Sequence, residues 1–108
     1  MANLFKSFPA KNVGTSAATV YTCPSSTQTT LIGLSMANTT SSPITTSAYI
    51  TRSAVNYYLI NGATVPVGAA LVIVGGDQKV VMEPADVLFI VNSAAASGDC
   101  FASLLEIT

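Results

Sequence analysis

The stretch GGDQKVVMEPADVLFIVNS, residues 75–93, decides the fold of this chain. Two turn signals interrupt its apolar runs: the glycine pair at 75–76 and the segment EPAD at 83–86. A glycine pair between apolar runs marks a hairpin turn, and Pro84 presets φ for the second position of a type I turn. We therefore predict three short strands that are joined by two tight turns.

The same stretch carries much of the chain's charge, which makes it a candidate phosphate loop or metal site. A phosphate loop needs the spacing G-x-x-x-x-G-K-[ST] before a helix, whereas here the spacing differs and a strand follows. Calcium needs several converging carboxylates, and the stretch offers Asp77, Glu83 and Asp86. The two turns lie at opposite ends of one strand, so we interpret all three as solvated turn carboxylates.

Upstream, the chain repeats this alternation of short strands and turn signals. Residues 29–38 alternate large and small side chains with a period of two, which is typical of a half-buried strand. Asn61-Gly62 is the strongest two-residue signal for a type I′ hairpin turn. The predicted strands are 15–23, 29–38, 44–52, 57–60, 70–74, 79–82, 87–91 and 100–108.

This pattern predicts an all-β fold, an antiparallel and jelly-roll-like β-sandwich that forms one domain over residues 15–108. The apolar positions of the strands predict a core of Ile32, Leu34, Leu71, Ile73, Leu88, Ile90 and Leu105.

Residues 1–14 precede the first predicted strand and are interpreted as a short N-terminal arm. The arm contains Phe5 and Phe8. Exposed aromatic side chains on a free arm are unfavourable, which favours docking of the arm on a neighbouring subunit. A disordered terminus is the alternative.

Charge is scarce in this sequence, with 8% charged residues and a formal net charge of -1. An average soluble domain has about 25% charged residues. Near-zero net charge favours association, so we expect a homo-oligomer, either a trimer or a ring, with a monomer whose hydroxyl side chains face solvent as the alternative. Four basic residues make no basic patch, and no apolar run approaches the length of a membrane span, so neither nucleic acid nor membrane is an expected partner. The N-terminus lacks the apolar core of a secretory signal, which indicates synthesis in the cytoplasm.

The sequence shows no motif for chemistry. Histidine is absent, which removes the commonest general base and the Ser-His and Cys-His pairs. We predict no catalytic, cofactor-binding or metal-binding residue and expect a protein that is not an enzyme. Cys23 and Cys100 are interpreted as packed, reduced thiols, with a mutual disulfide as the alternative.

Residues 15–107 resemble small all-β virion proteins of tailed bacteriophages. The resemblance lies in VYTCPSSTQTTLIGLSMANTTSSPITTSAYITR, residues 20–52, and in NYYLINGATVPVGAALVIVGGDQKVVMEPADVLFIVNS, residues 56–93. It implies an accessory structural part of a virion, namely a capsid decoration subunit or a neck or tail subunit that docks on other virion proteins. It carries no catalytic residue. The alternative function is a glycan-binding module on a tail fibre or baseplate, built on Tyr49, Tyr57 and Tyr58.

Overall fold

The computed structural model describes residues 3–75 and 79–108, and these residues form an all-β fold with two antiparallel sheets. No helix occurs in the described ranges. The strands are β1 (Asn3–Val13), β2 (Ala18–Thr22), β3 (Gln28–Asn38), β4 (Ile44–Arg52), β5 (Val55–Val65), β6 (Ala70–Val74), β7 (Val80–Met82), β8 (Val87–Asn92) and β9 (Gly98–Ile107).

The strand order is that of a jelly roll. The first sheet has the order β1-β9-β3-β6, and the second sheet has the order β2-β8-β4-β5. Strand β7 also pairs with β3, in line with β6, so these two short strands share one edge of the first sheet. The predicted antiparallel, jelly-roll-like sandwich is therefore confirmed.

The core lies between the two sheets and is filled mainly by alternate residues of β3, β4, β8 and β9. Leu34, Leu88 and Ile90 are buried there, as predicted. The other four predicted core residues, Ile32, Leu71, Ile73 and Leu105, are only partly buried.

Two local causes explain the main differences between the predicted and observed core. A register shift in β3 between Leu31 and Gly33 turns Leu31, rather than Ile32, towards the core. In β9 the even-numbered residues face inward, so Leu104 is buried where Leu105 was predicted. In both cases the strand was predicted correctly, but the side of the strand that faces the core was not.

The turn predicted at Asn61-Gly62 is wrong, because both residues lie within β5. The β4–β5 turn is instead formed by Ser53 and Ala54, whose φ angles of 52° and 64° suit a two-residue hairpin. Gly62 has φ 68° at a bulge, and its N–H donates a 2.9 Å hydrogen bond to Ser47 Oγ. A glycine with positive φ suits a bulge as well as a hairpin turn, so the Asn-Gly dipeptide alone does not distinguish the two.

Residues 3–13, which were expected to belong to an arm, form an edge strand of the first sheet. Strand β1 pairs with β9 in continuous register from Asn3 to Ala10. Phe8 packs on Tyr21 of the second sheet, with ring centroids 5.1 Å apart. The segment is thereby held by backbone hydrogen bonds and an aromatic contact within its own chain.

The turn at 83–86 is present, but its type differs from the prediction. The Asp86 N–H donates to the Glu83 carbonyl at 3.1 Å, which closes the turn. Ala85 has φ 72°, as the third position of a type II turn requires, so this is not the predicted type I turn. Of the other predicted turn, Gly76 lies outside the described residues, as does Asp77.

Candidate functional site

Asp86, predicted to be solvated, is 1% exposed and ion-paired with Arg52. Arg52 Nε donates to Asp86 Oδ1 at 2.9 Å, and Arg52 Nη2 donates to Oδ2. The Glu83 N–H also donates to Oδ2, at 2.9 Å. The hydrogen bonds from Arg52, and then that from Glu83, hold the pKa of Asp86 below its ordinary value despite burial. This pair fixes the end of β4 to the turn before β8, which is a structural role.

A second polar cluster joins the two sheets near the start of β1. Glu106 Oε1 lies 2.9 Å from Lys6 Nζ, and Glu106 Oε2 accepts a hydrogen bond from the Tyr21 hydroxyl. The Tyr21 hydroxyl also lies 2.8 Å from Thr29 Oγ1. The hydrogen bonds from Tyr21 and Lys6 lower the pKa of Glu106, while burial and then Glu106 raise the pKa of Tyr21. The cluster therefore links β1, β2, β3 and β9.

The third ion pair lies at the opposite end of β1, where Lys11 Nζ is 3.1 Å from Asp99 Oδ2. The Asn12 N–H donates to the same carboxylate at 3.0 Å, and this bond is the main cause of its lowered pKa. Each ion pair thus joins segments that are distant in sequence. Within the described ranges, no three metal-ligating side chains come together, and no helix is long and apolar enough to cross a membrane.

We expect the stability of the folded chain to fall as the pH drops below about 5, since Asp86, Asp99 and Glu106 all have folded pKa values below their ordinary values. A carboxylate of this kind contributes its full stabilisation above its unfolded pKa. The contribution is lost as the pH falls through the folded pKa. Urea denaturation between about pH 3 and pH 7 measures the effect.

The matched variant for this prediction is Asp86→Asn, which removes the titration of one carboxylate. Its free energy of unfolding should be lower than that of the wild type at neutral pH, and the difference should shrink in acid. A constant difference at every pH would show that the Asp86 charge does not contribute.

Three aromatic rings form a row on the outer surface of the second sheet, across β8, β4 and β5. The Tyr49 ring lies 4.9 Å from Tyr58 and 5.4 Å from Phe89, centroid to centroid. Tyr58 is 52% exposed. Tyr57, the third predicted member of an aromatic cluster, lies outside this row and lines a hollow with Arg52 and Val80, which Tyr58 also borders. The structure thus brings Tyr49 and Tyr58 together and replaces Tyr57 with Phe89.

Both cysteines are buried free thiols, as predicted, with exposures of 1% for Cys23 and 2% for Cys100. Burial raises the pKa of the Cys100 thiol to about 12. The thiolate is the reactive form of cysteine. Burial therefore protects both side chains from reaction in the folded chain.

We expect neither cysteine to react with iodoacetamide in the folded protein and both to react after unfolding in guanidinium chloride. Intact mass spectrometry counts the modified sites. Thr51→Cys, which adds a thiol on the outer surface of the second sheet, should gain one modification in the folded state. Rapid modification of the folded wild type at either native cysteine would contradict the burial.

The outward side of the first sheet carries four of the large apolar side chains that are exposed in the described chain. Phe5 is 78% exposed there, Val72 66%, Val81 57% and Phe101 50%. Register pairs place Phe5 beside Leu105, and Leu105 beside Thr30, on one side of the sheet. This surface was not predicted from the sequence, although the alternation of inward and outward side chains along β9 could have indicated it.

No family model matches this chain, and no curated protein matches it. Two solved structures share the fold. A chain from the Bacillus endospore appendages, described as disulfide-linked pili, has a TM-score of 0.60 and 16% identity; the match covers 99% of this chain and 87% of that one. A chain of the IBDV viral particle has a TM-score of 0.59 and 9% identity, covering 96% of this chain and 30% of that one. At such identities the likeness concerns the fold.

Proposed function

We propose that this chain is a non-enzymatic structural subunit of a repeated protein assembly. The observation that carries the proposal is the apolar outward side of the first sheet, with its exposed Phe5 and Phe101. Exposed apolar side chains that gather on one face of a soluble protein mark an interaction site. The three ion pairs among the described residues agree with this view, because each joins distant segments of this chain and so has a structural role.

The finer proposal is an accessory subunit of a tailed-phage virion, either a capsid decoration subunit or a neck or tail subunit. Support comes from the sequence resemblance and from the fold shared with a chain of an icosahedral viral particle and with a pilus chain. The partners are further copies of the chain, in a trimer or ring, and other virion proteins. The subunit is made in the host cytoplasm and is carried on the virion.

The pilus chain belongs to appendages described as disulfide-linked. In this chain Cys23 and Cys100 are enclosed in the core. Non-covalent contacts are therefore the proposed means of assembly here.

Cryo-electron microscopy of the parent particle tests the proposal. The expected result is repeated density that fits the two-sheet fold at symmetry-related positions on the head, neck or tail. Particles made without the chain and then incubated with the purified protein should regain that density. Purified virions that contain none of the chain, although infected cells make it, would exclude the virion role.

A second candidate function is glycan binding on a tail fibre or baseplate. The observation that favours it is the row of Tyr49, Tyr58 and Phe89, because sugars stack on exposed aromatic rings. A glycan array with the wild type and Tyr58→Ala tests this function. Binding that is lost in the variant would support it, and the absence of any bound glycan would exclude it.

A further inference from the structure

We propose that the outer face of the first sheet is the contact surface for a second copy of this chain, in a two-fold, face-to-face pair. The outer face is defined by Phe5, Ile32, Val72, Val81, Phe101 and Leu105. The inference rests on the proposed structural function and specifies which surface performs the self-association.

The outer face is ordered in rows of paired residues that run across the strands. One row contains Phe5, Leu105, Thr30 and Val81. A second row contains Pro9, Phe101, Ser35 and Val72. Between them lies a row of small residues, Ser7, Ser103 and Gly33.

No charged residue is among the paired residues of these three rows. The Lys11–Asp99 ion pair lies beyond the second row, at the end of the face. This arrangement matches the usual anatomy of a protein interface, in which charge is depleted at the centre and found at the rim. The paired residues of the three rows can therefore meet a second copy without removing an ion from water, while Lys6 and the Lys11–Asp99 pair border the hollows on this face.

The relief of the outer face fits a copy of itself. A two-fold axis along the Ser103 row places the Phe5 row of one copy over the Phe101 row of the other. Phe101 then lies against the partner's Leu105, and Phe5 lies against the partner's Pro9. The small side chains of the central row let the two sheets approach closely. Two-fold dimers with an isologous contact of this kind are the commonest oligomers.

The outer face is large enough to hold a stable pair. Four strands lie side by side in the first sheet, and β9 is 10 residues long. At roughly 4.8 Å between strands and 3.3 Å per residue, the flat footprint is roughly 600 Å². A standard interface buries about 800 Å² on each partner, so the outer face is of the required scale.

The strand edges are poorer contact surfaces than the outer face. Strand β1 carries Pro9 and Lys11, and β5 contains two register shifts against β4. The remaining edges are short, since β2 has 5 residues, β6 has 5 and β7 has 3. Proline, lysine, bulges and short length are the devices that prevent edge-to-edge pairing. Face-to-face pairing leaves the second sheet free for the contacts that close a trimer or ring.

Sedimentation velocity from about 1 µM to about 300 µM measures the association, since this range covers micromolar dissociation constants. The wild type should form dimers as its concentration rises. Phe101→Arg places a charge at the centre of the contact and should raise the dissociation constant at least about tenfold. Tyr58→Arg is the matched control on the second sheet, and it should pair as the wild type does.

A cross-linking experiment tests the position of the axis. Ser103 lies on the axis, so Ser103→Cys should form a disulfide with the same residue of the partner under mild oxidation. Both native cysteines are buried, so they add no background. Thr51→Cys, on the outer surface of the second sheet, should cross-link much more slowly.

A wild type that stays monomeric up to about 300 µM would overturn the inference, because micromolar pairing is visible in that range. Association that persists in Phe101→Arg, or equal cross-linking of Ser103→Cys and Thr51→Cys, would also overturn it. The proposed structural function would still hold after these results if the purified chain still bound to particles that had been made without it. Dimers in solution combined with absence from every virion would leave the pairing intact and remove the virion role.

Discussion

Leu88→Ala should lower the free energy of unfolding by about 2–5 kcal/mol. Leu88 is 0% exposed and lies in the core of the second sheet, beside the equally buried Ile90 on β8. Truncation removes buried methyl groups and leaves a cavity that the surrounding strands fill only partly. Urea denaturation at neutral pH measures the loss, with the midpoint and slope fitted together.

The matched control for Leu88 is Val67→Ala, because Val67 is 51% exposed in the connection between β5 and β6. Its free energy of unfolding should stay within about 0.5 kcal/mol of the wild type. A Leu88→Ala loss no larger than that of the control would mean that the β8 side chain faces solvent, and the assignment of the core would then fail.

Gly98→Ala should destabilise the fold by about 1–3 kcal/mol or more, as overpacking of a dense interior does. A β-carbon at this position would lie 2.5 Å from Met36 Sδ, 2.7 Å from the Ala37 carbonyl oxygen and 2.9 Å from Asn92 Nδ2. The carbonyl belongs to the neighbouring strand β3, so relief requires a movement of the backbone. Thermal and urea unfolding measure the effect.

Gly33→Ala is the matched control, in the middle of β3. A β-carbon there would meet only the Val74 carbonyl oxygen at 3.8 Å, an ordinary contact. Because glycine in a strand is less favourable than alanine, this variant should be neutral or more stable by about 0.5–1 kcal/mol. Equal stability of the two alanine variants would show that the β9–β3 approach at Gly98 is looser than described.

The sequence predicted strands well where the signal was local. Strands β4 and β6 have the predicted bounds, because β-branched and apolar runs there end at clear turn residues. Strand β1 was not predicted, since its residues are mostly exposed and its order depends on pairing with β9. That pairing joins positions about a hundred residues apart, which no local pattern records.

The candidate surfaces were harder to predict for the same physical reason. The burial of Asp86 depends on Arg52, which is distant in sequence and reaches it only after β4 and β8 pair. The aromatic row needed Phe89 to align with Tyr49 across two strands. Leu104 faces the core, so the alternate residues of β9, such as Leu105, lie on the outer face. The register shift in β3 interrupts the alternation on that neighbouring strand, so the β3 sequence does not show which of its residues face outward.

The pairing of Asn3 with Ile107 has a consequence for chain connectivity. The two ends of the described chain lie side by side, so a short linker can join them into a β1–β9 hairpin. New termini can then be opened in the exposed connection at residues 15–17. Such a circular permutant replaces the longest-range contact of the fold with a local one. Because folding is faster when contacts are closer in sequence, the permutant should fold faster than the wild type while keeping the same two sheets.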